Sequence, residues 1–189
     1  MNRLHAAFPI VVKKYVWNMK YALLGYPRFV APADALQYLS ATLSGTEALL
    51  DLGCGRGSLI RGLRKTGWMG YYCGVDISNH AIRDARTFKD QRCSWVVSDL
   101  EAFRSPFKWD AVVMIESMNY VKLAELPAVL NRLMGMLADR GVFVVRLHDP
   151  NKHSEYVRTI HELYPGTQNM GTNLFRIAAG SPRSVGHQA

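Results

Sequence analysis

The sequence predicts an α/β fold, in which a doubly wound, mostly parallel sheet of six or seven strands carries helices on both faces. Two observations support this prediction. Short apolar, β-rich runs alternate with segments of helical periodicity along residues 46–180, which is typical of a parallel sheet covered by helices. A turn with three glycines at alternate positions, Gly53, Gly55 and Gly57, joins the first strand of this region to its first helix.

The residues ahead of the first strand are predicted to form two helices. Residues 3–24 mix aromatic and aliphatic side chains with lysines, and the Gly-Tyr-Pro run at 25–27 ends this helix. Pro32 begins a second helix over residues 32–43, because proline is tolerated in the first helical turn. We therefore divide the single domain into an N-terminal helical segment (1–45), a core (46–180) and a loose polar tail (181–189).

The core is predicted to follow a strand–helix alternation. The run 109–115 is continuously apolar and β-rich, as expected of a strand buried on both faces, and the segment 123–138 has apolar residues near a 3.6-residue period. A further strand is either a fragment around residues 167–170 or missing. The predicted strands are 48–52, 71–75, 94–97, 109–115, 141–147 and 172–179, and the predicted helices are 58–65, 79–88, 123–138 and 154–164.

The composition favours a soluble globular protein. The chain has 189 residues, of which 49% are hydrophobic, and its formal net charge is +8. No apolar run approaches the roughly 20 residues of a membrane span, and we expect no signal peptide. Three cysteines without metal-ligand spacing favour reduced thiols and a cytoplasmic location. The basic charge fits either a solvated surface or an anionic partner such as nucleic acid, a lipid surface or a small acidic molecule.

The glycine-rich turn predicts a nucleotide-type loop. Glycine accepts positive φ and lets a ligand approach the backbone closely, and the following helix presents free N–H groups to such a ligand. Asp76 ends the second strand about 20 residues further on, where an acidic residue can accept hydrogen bonds from ribose hydroxyls. The alternative is that Asp76 caps the next helix. Ser78 is better placed for that cap, which leaves Asp76 for the ligand.

The run Asp51-Leu52-Gly53-Cys54-Gly55-Arg56-Gly57 resembles the first motif of class I S-adenosylmethionine-dependent methyltransferases, (D/E)-x-G-x-G-x-G. Dehydrogenases usually carry G-x-G-x-x-G instead. The resemblance covers residues 46–147 and implies a Rossmann-like fold with S-adenosyl-L-methionine as cofactor and S-adenosyl-L-homocysteine as product. It also implies that the residue pair at 99–100 contacts the adenine. The cofactor-binding residues implied by the resemblance are Asp51, Gly53, Cys54, Gly55, Asp76, Ile77, Asp99, Leu100 and Glu116.

The end of the fourth strand is expected to face the transferred methyl group and the acceptor, since ligands of open α/β sheets lie outside the carboxyl ends of the strands. The candidates for catalysis are Glu116, His148 as a proton acceptor, and Tyr120 as an orienting hydroxyl. His148 could equally be a strand-end residue bonded to local backbone. Some catechol-type relatives bind Mg²⁺ here, and Glu116, His148 and Asp149 match that layout loosely; we predict no metal.

The N-terminal segment is expected to act as a lid, because this segment often folds over the cofactor in the resembled family. The alternative for each aromatic is ordinary packing of an amphipathic helix onto the core. The candidate lid residues are Tyr15, Trp17, Tyr21, Tyr26 and Phe29.

These features predict a methyltransferase that acts on oxygen, nitrogen or carbon of a small-molecule acceptor, and the basic charge is compatible with an anionic one. The family's (D/N)-P-P-(Y/F/W) motif for amino groups of nucleic-acid bases is absent after the fourth strand, where the sequence reads Glu116-Ser117-Met118-Asn119-Tyr120. The alternatives are a tRNA, rRNA or protein methyltransferase, which only the basic charge supports, and a non-catalytic cofactor-binding protein of the same fold. The oligomeric state is left open.

Overall fold

The computed structural model describes residues 8–23, 30–44 and 47–180. The predicted break at 25–27, the lid candidates Tyr26 and Phe29, and the tail at 181–189 lie outside these residues. The helices are α1 (Ile10–Ala22), α2 (Ala33–Thr42), α3 (Ser58–Lys65), α4 (Asn79–Ala85), α5 (Leu126–Met134) and α6 (Ser154–Leu163). The strands are β1 (Ala48–Leu52), β2 (Tyr71–Asp76), β3 (Cys93–Val97), β4 (Trp109–Ile115), β5 (Leu137–Arg146), β6 (Gln168–Asn169) and β7 (Leu174–Ala178).

The strands form one sheet in the order β3-β2-β1-β4-β5-β7-β6. The first five of these strands are parallel to one another, whereas β7 pairs antiparallel with both β5 and β6. The chain adds strands in one direction from β1 to β3 and in the other direction from β4 onward, so β1 and β4 flank the switch point of the topology. In open α/β sheets a crevice forms at this point, outside the carboxyl ends of the strands. The predicted mostly parallel sheet is therefore confirmed, and the uncertain strand is present as the two-residue β6.

The hydrophobic core consists of two layers, one on each face of the sheet. Leu49, Ala111 and Val113 face the layer with α2 and α3. Leu50, Val112 and Phe143 face the layer with α5 and α6. All six side chains are buried, which explains why β1, β4 and β5 read as continuous apolar runs.

Several element boundaries differ from the prediction by a few residues, for example the predicted helix 79–88, which ends at Ala85. The largest difference lies between α5 and β5. The predicted helix over 123–138 is shorter: a 3-10 turn (Leu123–Glu125) precedes α5, which ends at Met134. Leu137 already pairs with Trp109 of β4, so residues 138–141 belong to an extended β5 instead of ending the helix. The hydrogen bond from the Trp109 N–H to the Met136 carbonyl, 2.9 Å, draws this segment into the sheet. Pairing with a neighbouring strand has outweighed local helical periodicity.

Within the described ranges, no helix is both long and apolar enough to cross a membrane.

Candidate active site

A cleft of about 1450 Å³ lies over the carboxyl ends of the parallel strands. One part of it is lined by the glycine loop and by the residues that follow β1, β2 and β3. A second part is lined by the residues that follow β4 and β5, and α1 supplies Lys13, Trp17 and Tyr21 to its wall. The cleft is continuous between these parts, so two ligands can meet within it.

The glycine loop has the backbone conformation that its sequence predicts. Gly53, Gly55 and Gly57 have φ angles of 85°, 53° and 74°, which favour glycine. The N–H groups of Gly53 and Cys54 both donate to the Val75 carbonyl, at 2.7 and 3.0 Å, so the loop is tied to β2. The loop therefore turns sharply at the switch point and leads directly into α3.

Gly53 is required for a reason that the sequence did not show. A β-carbon at this position would collide with the side chain of Ser117. The Ser117 hydroxyl donates a 2.5 Å hydrogen bond to the Leu52 carbonyl, which holds the residues after β4 against the end of β1. A larger residue at 53 would thus disturb the protein's own packing before it met any ligand.

Three carboxylates end successive strands of the sheet and form what we call the acidic edge: Asp51, Asp76 and Asp99. Their exposed fractions are only 3%, 7% and 7%. In the described part of the chain, none of the three forms an ion pair with a basic side chain. The acidic edge is therefore a row of buried carboxylates outside any direct ion pair in that part of the chain, although the charge of the nearby Lys13 opposes the rise that burial causes in the pKa of Asp99. Such an edge suits a ligand that carries positive charge or hydroxyl donors.

Polar neighbours hold each carboxylate in place. The Tyr72 hydroxyl donates to Asp51 at 2.6 Å. Asp76 accepts from the N–H of Gly55 at 3.0 Å and from that of Ser78 at 2.8 Å, so it links the glycine loop to the start of α4. The Ser78 side chain caps α4 by accepting from Ala81 N–H at 3.2 Å, as the sequence predicts.

Burial raises the pKa of all three carboxylates. It raises the pKa of Asp51 to about 7; the Tyr72 hydrogen bond opposes the rise and the charge of Asp76 adds to it. Burial raises the pKa of Asp76 to about 6, against the hydrogen bonds from Ser78 and Gly55. Burial likewise raises the pKa of Asp99, against the N–H of Glu101. Ionising this edge is costly in the free protein, so a cationic ligand would be favoured there.

The remaining predicted cofactor residues lie at the same cleft. Ile77 and Leu100 line it directly after the second and third carboxylates. Cys54 also lines it, although its thiol is buried and burial raises its pKa well above the ordinary value. A neutral thiol here packs under the loop and is not a reactive nucleophile.

The end of β4 carries an ion-pair network that sequence reasoning missed. Glu116 has a φ angle of 60°, unusual for a residue other than glycine. Its carboxylate pairs with the guanidinium of Arg146 at the end of β5. Arg146 Nε in turn lies 2.8 and 2.9 Å from the two carboxylate oxygens of Asp34 in α2. Burial raises the pKa of Glu116 and Arg146 opposes this rise, so the carboxylate is fixed in position at the cleft wall.

The other two predicted catalytic residues line the cleft beside Glu116. Tyr120 lies in a 3-10 turn (Met118–Tyr120), and its ring meets that of Trp17 edge-on at 4.9 Å between centroids. His148 follows β5, has an exposed side chain and accepts at its carbonyl from Asn173. The structure thus brings Glu116, Tyr120 and His148 to one cleft, without a direct hydrogen bond among their side chains in the described residues.

Helix α1 is joined to the loops after β1, β2 and β3. Lys13, with an exposed fraction of only 6%, pairs with Glu101 at 3.0 Å. Asn18 accepts from the Ser78 hydroxyl at 2.8 Å, and Arg56 donates to the Tyr21 carbonyl at 2.9 Å. Sequence reasoning missed Lys13 and Arg56, because their partners are remote in sequence. For Lys13, the position of a lysine within an otherwise apolar stretch of the helix could have indicated a buried partner.

Among residues 8–23, 30–44 and 47–180, no three His, Cys, Asp or Glu side chains are grouped closely enough to hold a metal ion.

Solved structures share this fold. The N-methyltransferase NodS from Bradyrhizobium japonicum, in complex with S-adenosyl-L-homocysteine, matches with a TM-score of 0.62 and 18% identity over 78% of this chain and 85% of its own. The plantazolicin methyltransferase BpumL matches with a TM-score of 0.58 and 18% identity, over 81% of this chain and 60% of its own. CalS10, an amino pentose methyltransferase from Micromonospora echinaspora, matches with a TM-score of 0.54 and 22% identity, over 70% of this chain and 56% of its own. The chain thus spans under two thirds of the length of the latter two.

The switch-point crevice, the glycine loop and the acidic edge define a Rossmann-like protein of the class that binds a nucleotide-type cofactor at the carboxyl edge of its sheet. The particular family follows from the sequence profile of the methyltransferase domain, which matches residues 25–178. The chain belongs to this methyltransferase family. No functionally curated protein matches it significantly in sequence.

Proposed function

We propose that the protein is an S-adenosylmethionine-dependent methyltransferase that acts on a small-molecule acceptor. The observation that carries this proposal is the single cleft, in which the unpaired acidic edge continues directly into a second region lined by Glu116, Tyr120 and His148. One half is suited to a positively charged nucleotide-type cofactor. The other half offers hydrogen-bonding and proton-accepting side chains to an acceptor.

The acidic edge fits the cofactor chemically. Asp51 would hold its amino group, Asp76 its ribose hydroxyls, and Asp99 with the backbone of Leu100 its adenine. Gly53, Cys54, Gly55 and Ile77 supply the close backbone approach around it. S-adenosylmethionine supplies an already activated methyl group on a sulfonium, whose positive charge suits buried carboxylates that form no direct ion pair in the described residues.

The protein's part in the reaction is mainly alignment, which alone can contribute roughly 7–11 kcal/mol. Glu116 is held by Arg146, so it serves to position ligands and not to carry a proton away. Tyr120 orients the acceptor through its hydroxyl. His148, exposed to the open part of the cleft, accepts the proton where the acceptor must lose one.

We also propose that the segment 1–45 is a lid over the core 46–180. The contacts of Lys13, Asn18 and Tyr21 with loops after β1, β2 and β3 support this assignment. A helix held by a few polar contacts can open at low cost and admit ligands. Trp17 and Tyr120 would then close the acceptor region from above.

A small-molecule acceptor is favoured over RNA or protein. The acceptor region lies inside the cleft beneath α1, where a folded macromolecule would be excluded while the helix is in place. CalS10, which is named as an amino pentose methyltransferase, points the same way. Binding of RNA that falls steeply with salt would instead favour the macromolecular alternative.

The first test is calorimetric titration with S-adenosyl-L-homocysteine, with NAD as the comparison ligand. We expect S-adenosyl-L-homocysteine to bind with micromolar affinity and NAD not to bind. The affinity for S-adenosyl-L-homocysteine should fall at least about tenfold in Asp76→Asn, since a charged hydrogen bond contributes roughly 1.5–3 kcal/mol. Asp139→Asn, which changes an exposed carboxylate, is the matched control. Tighter binding of NAD would overturn the proposal.

A second assay separates catalysis from mere cofactor binding. Labelled methyl transfer from S-adenosylmethionine to fractionated small molecules should occur with the wild-type chain and fall in His148→Gln at low pH more than at high pH, where the acceptor is already deprotonated. Binding without any transfer would favour the non-catalytic alternative.

A further inference from the structure

The outward face of α1 is apolar along its whole length. Val11, Tyr15 and Leu23 have exposed fractions of 74%, 65% and 68%, and Met19 lies between the last two. Residues four apart lie on one side of a helix, so these side chains form a continuous stripe. Ile10 and Val12 extend it at its first turn. We call these six residues the α1 stripe.

Helix α1 does not have the polar outer side of an ordinary surface helix. The side turned to the protein carries Trp17 and Tyr21, which line the cleft, together with the buried Lys13 and with Asn18, which accepts a hydrogen bond from Ser78. The side turned to solvent carries the α1 stripe. Because the contacts of α1 with the cleft are made by the inner side, packing onto the core does not explain the apolar outer side.

Charge is concentrated in the same part of the chain. Residues 1–33 contain five Lys and Arg and no Asp or Glu, so they contribute +5 to the formal net charge of +8; the first acidic residue is Asp34. In the helix itself, Lys14 and Lys20 are the basic residues other than the buried Lys13. The α1 stripe is therefore an apolar surface within a strongly basic segment.

The apolar surface and the basic charge together indicate which kind of partner binds the α1 stripe. A second copy of the chain would bring one basic segment against another, and like charges repel. Nucleic acid would pair with the basic charge, but its phosphates would gain little from contact with aliphatic side chains. A bilayer with anionic headgroups matches both the charge and the apolar stripe, because apolar side chains enter the headgroup–acyl boundary while basic side chains remain at the phosphates.

We propose that α1 docks onto anionic lipid bilayers through the α1 stripe, as an interfacial helix lying in the plane of the membrane surface. Lys14 and the net positive charge of residues 1–33 contribute electrostatic attraction, whereas the Lys20 ammonium lies 4.4 Å from the centroid of the Trp17 ring. Val11, Tyr15 and Leu23 contribute apolar burial. Since α1 also covers the cleft, docking places the mouth of the cleft at the membrane surface. This proposal does not depend on methyl transfer.

The test is co-sedimentation of the full chain with large vesicles of phosphatidylcholine alone or with about one third phosphatidylglycerol. We expect partitioning onto the anionic vesicles at least about tenfold stronger, and weakened as sodium chloride is raised from about 0.1 to 0.5 M. Val11→Glu should lower it at least about fivefold through lost apolar burial and headgroup repulsion.

Phe107→Glu is the matched control. Phe107 is 70% exposed and precedes β4, at the sheet edge opposite the cleft, and the substitution changes the net charge by the same amount. It should alter partitioning by less than about twofold, since Phe107 precedes the amino end of β4 whereas α1 lies over the carboxyl ends of the strands. Both substituted residues are exposed, and the salt series on the wild-type chain tests the electrostatic part without any substitution.

Three outcomes would overturn the proposal. The wild-type chain could fail to bind vesicles of either composition. Val11→Glu and Phe107→Glu could weaken binding equally, which would mean that net charge and not the α1 stripe is recognised. Light scattering could show a wild-type dimer that Val11→Glu dissociates without any vesicle binding, in which case a second copy covers the stripe.

Discussion

Replacing Asp51 by asparagine should stabilise the fold while weakening cofactor binding. The carboxylate is 3% exposed, and its pKa is raised to about 7 by burial. Asparagine has nearly the same shape, and its oxygen can still accept the hydrogen bond that the Tyr72 hydroxyl now gives to Asp51 at 2.6 Å. The substitution therefore removes the buried charge and leaves the packing in place.

The size of the effect follows from linkage between protonation and folding. In the unfolded chain the Asp51 carboxyl has an ordinary pKa near 3.8, so between this value and about 7 the folded state holds a proton that the unfolded state has released. The free energy of unfolding therefore falls as pH rises through this window. From pH 5 to above 7 this amounts to roughly 2–3 kcal/mol, at about 1.36 kcal/mol per pH unit.

Urea unfolding of both proteins at pH 5 and pH 8 measures this directly. Asp51→Asn does not titrate, so its advantage over wild type should widen by about 2–3 kcal/mol between the two pH values, equivalent to about 5–10 °C in Tm. Asp76 titrates in both proteins, so its contribution largely cancels from the difference between their free energies of unfolding. Asp139→Asn, an exposed carboxylate, should show a difference that does not change with pH.

The same variant links stability to function. Binding of S-adenosyl-L-homocysteine should fall at least about tenfold in Asp51→Asn, because a charged hydrogen bond to the ligand is lost. An advantage of equal size at pH 5 and pH 8 would refute the reasoning, since it would mean that ionising this buried carboxyl costs the folded state nothing. Unchanged ligand affinity would remove Asp51 from the site.

Three further substitutions test other parts of the site. Asp76→Ala should weaken binding of S-adenosyl-L-homocysteine at least about tenfold by calorimetry with little loss of structure by circular dichroism; unchanged affinity would count against its role. Gly53→Val should both abolish binding and lower Tm, because its β-carbon meets Ser117, and a normal Tm would show that Ser117 yields. Arg146→Met should lower the free energy of unfolding by about 1–3 kcal/mol by leaving two carboxylates without their partner, whereas Arg158→Met in an exposed pair should cost under about 0.5 kcal/mol; equal losses would show that the network adds nothing.

The sequence was sufficient for those features that local pattern encodes. Strand and helix periods are short, so β1 to β4 and helices α3 and α4 could be located to within a few residues from neighbouring residues alone. The glycine loop and the cap at Ser78 depend on backbone conformations that a single residue type favours. The acidic edge follows from them, because the carboxyl ends of parallel strands meet at one side of a sheet.

Only the tertiary structure decided which residues meet across the cleft. Arg146 and Asp34 are 112 positions apart, and Lys13 and Glu101 are 88 apart, so no local period relates them. Their pairing depends on the order of the strands and on where α1 and α2 lie over it. The start of β5 was likewise set by pairing with Trp109 against local helical pattern. Local sequence thus determined the elements and the acidic edge, whereas long-range packing determined what covers them, because contact free energies between remote segments exist only once the chain has folded.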